Sequence, residues 1–104
     1  MHTDQAVWDA SMGELMAFVA LHQAGTFTGA ARMLHLSQAG FSARILRLER
    51  AVGQRLVDRT VRPAVLTPAG KLFLPYAFAL LRAMADGRAA ANGVAQPRRP
   101  AVSA

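Results

Sequence analysis

Seven arginines, at positions 32, 44, 47, 50, 55, 59 and 62, face only Glu49 and Asp58 between residues 32 and 62, a surplus of five positive charges. Guanidinium groups at this density offer forked donors to phosphate oxygens or to the O6 and N7 edge of guanine. Gln38 adds a paired donor and acceptor that suits adenine, its other reading being a solvated first-turn side chain. Phe41, Ile45, Leu48 and Val52 form one apolar helical stripe, and on a wheel centred on it Ala39, Gly40, Ala43, Arg47 and Arg50 point away from the core. Small residues there admit a DNA backbone or base edge closely, and the arginines reach phosphate or guanine. Arg44, Arg47 and Arg50 either contact DNA or form a solvated face. Glu49 reads as a partner that orders a nearby arginine.

Other chemistries find little support. The chain has no Cys, which removes disulfides, thiolate nucleophiles and Cys-based metal sites. His2, His22 and His35 have no neighbours at ligand spacing, and Ser37 and Ser42 lack a His and Asp arrangement in reach. The expectation is a protein without catalytic residues, metal or cofactor. A length of 104 residues allows one domain. A net charge of +6 and a pI near 11.6 favour a polyanionic partner. Hydrophobic residues make up 53%, but 22 of them are Ala, which suits close-packed helices. No apolar run approaches the ~18 residues of a membrane span, and the N-terminus, with Asp4 and Asp9, lacks a signal peptide's basic start. A soluble, cytoplasmic and nucleoid-associated protein is expected.

The elements that must position these residues follow from caps and periodicity. Residues 1–10 carry no pattern and read as a flexible arm. Ser11 and Glu14 have capping-box spacing, Leu15, Phe18, Val19 and His22 follow at helical intervals, and Gly25 suits a left-handed stop, predicting a helix over 12–24. Thr28 is placed to cap a short helix over 29–35 with Ala30, Ala31 and Leu34 inward. Ser37 caps a third helix that ends at Gly53, and the short turn between the two suits a helix-turn-helix. Residues 56–60 and 64–66 read as a two-stranded hairpin with Arg62 at its tip. Thr67-Pro68 starts a long helix, interrupted by Pro75. The expected fold is mainly α: a winged helix-turn-helix of three helices and a small wing over 11–67, a long dimerisation helix over 68–92, and a disordered tail over 93–104.

The residues also carry a resemblance. The stretch Phe18 to Tyr76, with Gly25-Thr26-Phe27-Thr28, Ala30-Ala31, Leu36-Ser37-Gln38, Phe41-Ser42, Leu48-Glu49, Gly53, Leu56-Val57-Asp58-Arg59-Thr60 and Leu66-Thr67-Pro68-Ala69-Gly70, closely resembles the N-terminal DNA-binding domain of LysR-type transcriptional regulators. The resemblance implies a third helix in the major groove, a wing over the neighbouring backbone or minor groove, and a linker helix that pairs two subunits. It places Gln38 and Ser42 at positions that touch bases or phosphates, Thr28 and Ser37 at positions that hold or flank phosphate, and Arg59 and Arg62 at the strand end and wing. Three residues depart from the family pattern: Ala39 stands where Pro or Ser is common, Gly40 replaces a usual Ala, and Ala43 occupies the place of an Arg that reaches DNA, with Arg44 one position on. Family members usually continue into an effector-binding domain, so the chain is expected to be either a fragment or a stand-alone regulator, with no small-molecule effector site of its own.

Leu72, Phe73, Tyr76, Ala77, Leu80, Leu81 and Met84 form an apolar stripe along the last helix. It is either a dimer face or a surface packed on its own domain. Dimerisation through 68–88 is favoured, because three short helices and a wing offer little surface to bury so long a helix. The expected activity is sequence-specific binding of double-stranded DNA with inverted-repeat half-sites by a homodimeric transcriptional regulator, with no membrane partner. The rival is a small helical protein that pairs with a full-length regulator through the same helix and modulates it.

Overall fold

A computed structural model describes residues 9–95. Residues 1–8 of the expected arm and 96–104 of the expected tail lie outside that range.

Helix α1 (Met12–Ala24) opens with the expected capping box: Ser11 Oγ accepts from the Glu14 amide, and Glu14 Oε1 accepts from the Ser11 amide. It stops at Gly25, whose φ of 83° lies in the left-handed region that costs glycine little. Leu15, Ala17, Phe18, Val19, Ala20 and Leu21 are all buried, so α1 is the central helix and is apolar on more than one face. His22, expected on its apolar stripe, is exposed instead, with its ring edge against Phe78.

Helix α2 (Phe27–Met33) starts two residues before the expected position. Thr26 caps it, its hydroxyl accepting from the Gly29 amide at 2.9 Å, and Thr28 sits inside the first turn. The helix also ends earlier, because His35 takes a φ of 57° that turns the chain toward Ser37. Ala30 and Ala31 are buried, and their small side chains let α2 approach α1 and α3 closely.

Helix α3 (Gln38–Val52) runs from a Ser37 cap to Gly53, as its sequence requires. Phe41, Ile45 and Leu48 fill the space between α1 and α2, and Phe41 meets Phe27 edge to face at 5.3 Å. The wing is an antiparallel pair, β1 (Val57–Asp58) and β2 (Val65–Leu66), with Val57 opposite Leu66 and Asp58 opposite Val65. Thr60 donates to the Asp58 carboxylate from its hydroxyl and its amide, which holds that carboxyl below its ordinary pKa.

Helix α4 (Pro68–Ala95) extends three residues past the expected end at 92, carried through Gly93 by the run of strong helix formers Ala89, Ala90 and Ala91. Its first turn is clasped to the wing: the Thr67 amide donates to the Leu56 carbonyl, and the Thr67 hydroxyl donates to the Arg55 carbonyl. Phe73, Ala77 and Leu81, at intervals of four, return to the domain's own core, where the Phe73 ring lies 5.8 Å from that of Phe18. No helix among the described residues is long and apolar enough to cross a membrane.

Candidate nucleic-acid interface

The turn between α2 and α3 and the wing face each other across an open cleft of about 400 Å³. Thr28, Gln38 and Ser42 line it from the helical side, and Arg59 and Arg62 from the wing. Five residues singled out in the sequence are thereby brought to one place, although they span 35 positions of the chain. Gln38 Nε2 donates to Thr28 Oγ1, which ties the first turn of α3 to α2 and leaves the Gln38 carbonyl oxygen free of that bond. Ser37 spends its hydroxyl on the Gly40 amide at 3.0 Å.

Arg59 is a bracket as much as a surface group. Its Nη1 donates to Ser42 Oγ at 3.0 Å, and its guanidinium lies over the Phe27 ring, 4.9 Å from the centroid. Glu49 stands behind it, buried, with Oε2 accepting from the amides of Leu56 at 2.9 Å and Val57 at 3.1 Å. Arg59 Nη2 and Glu49 Oε1 are 3.9 Å apart, a Coulombic pair too long for a hydrogen bond, so those two atoms and Arg59 Nε carry no hydrogen bond. Glu49 thus orders an arginine, as its sequence position implies, and also anchors the start of the wing. That second role had no signal in residue spacing, since it joins a carboxylate to backbone amides seven and eight positions on.

Two of the three arginines of α3 reach toward α1. Arg44 Nη1 donates to the Gly13 carbonyl at 3.4 Å, and Arg47 Nε pairs with Glu14 at 3.2 Å. Arg47, expected to point outward from α3, is exposed yet leans on the first turn of α1. Between these arginines and the cleft run Ala39, Ala43 and Leu46, with Gly40 beside them. Thr26 and Phe27, and Val61, Pro63 and Ala64 of the wing, also line the cleft without a role assigned from sequence; a Thr three positions before Gly29 was the available sign of the true cap.

The expected apolar seam of α4 divides into two rows. Ala77 is fully buried and Phe73 and Leu81 pack against the core, so these three belong to the domain itself. Leu72, Tyr76, Leu80 and Met84 form a second row that stays open, Leu72 being 74% and Leu80 51% exposed. Four-residue spacing generates both rows about 100° apart on one helix, which is why sequence periodicity alone merged them.

The family model for bacterial regulatory helix-turn-helix proteins of the lysR family matches residues 12–71. A transcriptional regulator from the ibpB–leuC intergenic region of Azotobacter vinelandii is 40% identical over 83 residues, covering 80% of this chain and 58% of that protein. The regulator TfdT of Cupriavidus pinatubonensis is 43% identical over 84 residues, covering 77% of this chain and 37% of its own length. The chain therefore spans only part of these curated relatives. Among solved structures, Vibrio fischeri DarR in complex with DNA superposes with a TM-score of 0.82 at 35% identity, over 85% of this chain and 30% of DarR. The DNA-binding domain of BenM on catB site 1 DNA superposes with a TM-score of 0.78 at 32% identity, over 83% of this chain and 97% of that domain.

Proposed function

This chain belongs to the lysR family of bacterial regulatory helix-turn-helix proteins and carries that family's DNA-binding domain, and on that footing we propose that it binds duplex DNA sequence-specifically as a homodimeric regulator of transcription. Helix α3 enters the major groove, the wing lies on the adjacent backbone, and two copies meet inverted-repeat half-sites. Such a regulator works on the chromosome, in the cytoplasm. The observation that carries the reading is the shared cleft, in which Thr28, Gln38 and Ser42 of the helix-turn-helix stand opposite Arg59 and Arg62 of the wing. Polar groups on both walls are what holding a phosphate strand from two sides requires. The exposed row Leu72, Tyr76, Leu80 and Met84 supplies a face for the second copy. Because the row would serve a longer relative equally well, pairing with a full-length regulator is the second reading.

The test is a titration of duplex DNA at several salt concentrations. Each neutralised phosphate contributes a slope of about −0.9 in log K against log salt, so several contacts should produce a slope of −3 or steeper, as an order of magnitude. A flat dependence would overturn the phosphate-contact reading.

A further inference from the structure

On the outward side of α3, Ala39, Ala43 and Leu46 follow one another along one line of the helix, and none carries a hydrogen-bonding group. Leu46 is 42% exposed. A solitary exposed leucine is ordinary on a protein surface. This one lies in a row whose polar neighbours Gln38, Ser42, Arg44 and Arg47 each make a contact within the domain, while Arg50 continues the line with its guanidinium exposed. Gln38 is tied to Thr28, Ser42 to Arg59, Arg44 to the Gly13 carbonyl and Arg47 to Glu14. Three arginines of the same helix, Arg44, Arg47 and Arg50, accompany the row. An apolar protein surface would have to desolvate those arginines to cover it, whereas a polyanion is attracted by them.

The major groove of DNA offers one apolar feature to such a row, the 5-methyl group of a pyrimidine. We infer that Ala39, Ala43 and Leu46 form a binding row for pyrimidine 5-methyl groups, supplied by thymine or by 5-methylcytosine, which carries the same methyl at the same ring carbon. From residue 39 to residue 46 the helix rises about 10 Å at 1.5 Å per residue, and base pairs stack ~3.4 Å apart, so the row spans about three neighbouring pairs. Base choice at these pairs then comes from methyl burial, with hydrogen-bonded readout confined to Gln38 at one end and Arg50 at the other. The inference rests on the DNA-binding reading above and specifies what α3 reads.

The experiment uses the full chain and a duplex recovered by affinity selection from a random pool. Each thymine is replaced in turn by deoxyuridine, which removes the methyl and keeps every base-pairing group. Binding should weaken about fourfold at each contacted methyl. At the same pairs a C·G replacement should bind weakly, and methylating that cytosine at carbon 5 should recover part of the loss; if only thymine counts, the row stands with thymine as its sole source. Leu46→Ser, at an exposed position and checked by thermal unfolding, should abolish the uracil effect at one or more pairs. Deoxyuridine duplexes that bind as tightly as the thymine duplex at every position would overturn the inference while leaving DNA binding intact. Failure to select or bind any duplex would instead overturn the DNA-binding reading, and this one with it.

Discussion

At the scale of the residue, hydrogen bonding inside the domain decides which groups are free for a ligand. Gln38 keeps a carbonyl oxygen free beyond its bond to Thr28, whereas Arg62 lies on the wing's exposed tip. Gln38→Ala should reduce discrimination between a cognate and a mutated duplex by roughly 1–3 kcal/mol with little effect on non-specific affinity, and Arg62→Ala should weaken both alike. Equal losses on both duplexes for Gln38→Ala would move Gln38 to the DNA backbone. Glu49 makes a different prediction, since its removal strips acceptors from the amides of Leu56 and Val57 and leaves Arg59 without its counter-charge. Glu49→Ala should cost about 3 kcal/mol in urea unfolding, toward the lower end for a buried pair because Arg59 retains some solvent. A loss under ~1 kcal/mol would mean that the two amides find other acceptors.

The elements are joined at a few close contacts, and the tightest is where α4 meets the lead into β1. A Cβ built on Gly70 would fall 2.1 Å from the Leu56 carbonyl oxygen, a backbone atom that cannot swing aside. Gly70→Ala therefore forces α4 away from the wing, at an overpacking cost of roughly 1–3 kcal/mol. For a domain of this size each kcal/mol lowers Tm by about 4–8 °C, so thermal unfolding reads the effect directly. An unchanged Tm would show that α4 and the wing are not packed as tightly as this contact requires. The capping interactions at Ser11, Thr26, Ser37 and Thr67 set where each helix starts, and their local character explains why most helix boundaries are legible from residue order.

For the whole molecule, the proposed pairing of two copies rests on the open row of α4. Helix-turn-helix dimers place their reading helices about one DNA turn apart, ~34 Å, so a lone domain engages a single half-site and binds weakly. Burying a leucine such as Leu80 against a second copy is worth roughly 1.5–3 kcal/mol. Leu80→Asp puts a charge in the row without touching α3 or the domain's own core. Sedimentation should find wild-type chain loading two copies cooperatively on a two-half-site duplex and the variant loading them independently. Cooperative loading by the variant would remove α4 as the pairing surface and deprive the second reading of its mechanism too.

Residue order alone determined the local events. Ser11 with Glu14, Ser37, Gly25, Gly53 and Thr67-Pro68 act on their own neighbours, so α1, α3, the wing and the start of α4 can be read without a partner element. Thr28 misled because Thr26 and Thr28 are both able caps; Thr26 takes the Gly29 amide, and the helix it starts carries Phe27 against Phe41. Tertiary structure alone decided which chemistry stays available: Arg44 and Arg47 are taken up by α1, Arg59 by Phe27, Ser42 and Glu49, and Ala77 by the core. Each of these outcomes depends on a group 10 to 33 positions away or on an opposing helix. Spacing within one helix says which side chains share a face, but the neighbour that covers the face is supplied by the fold.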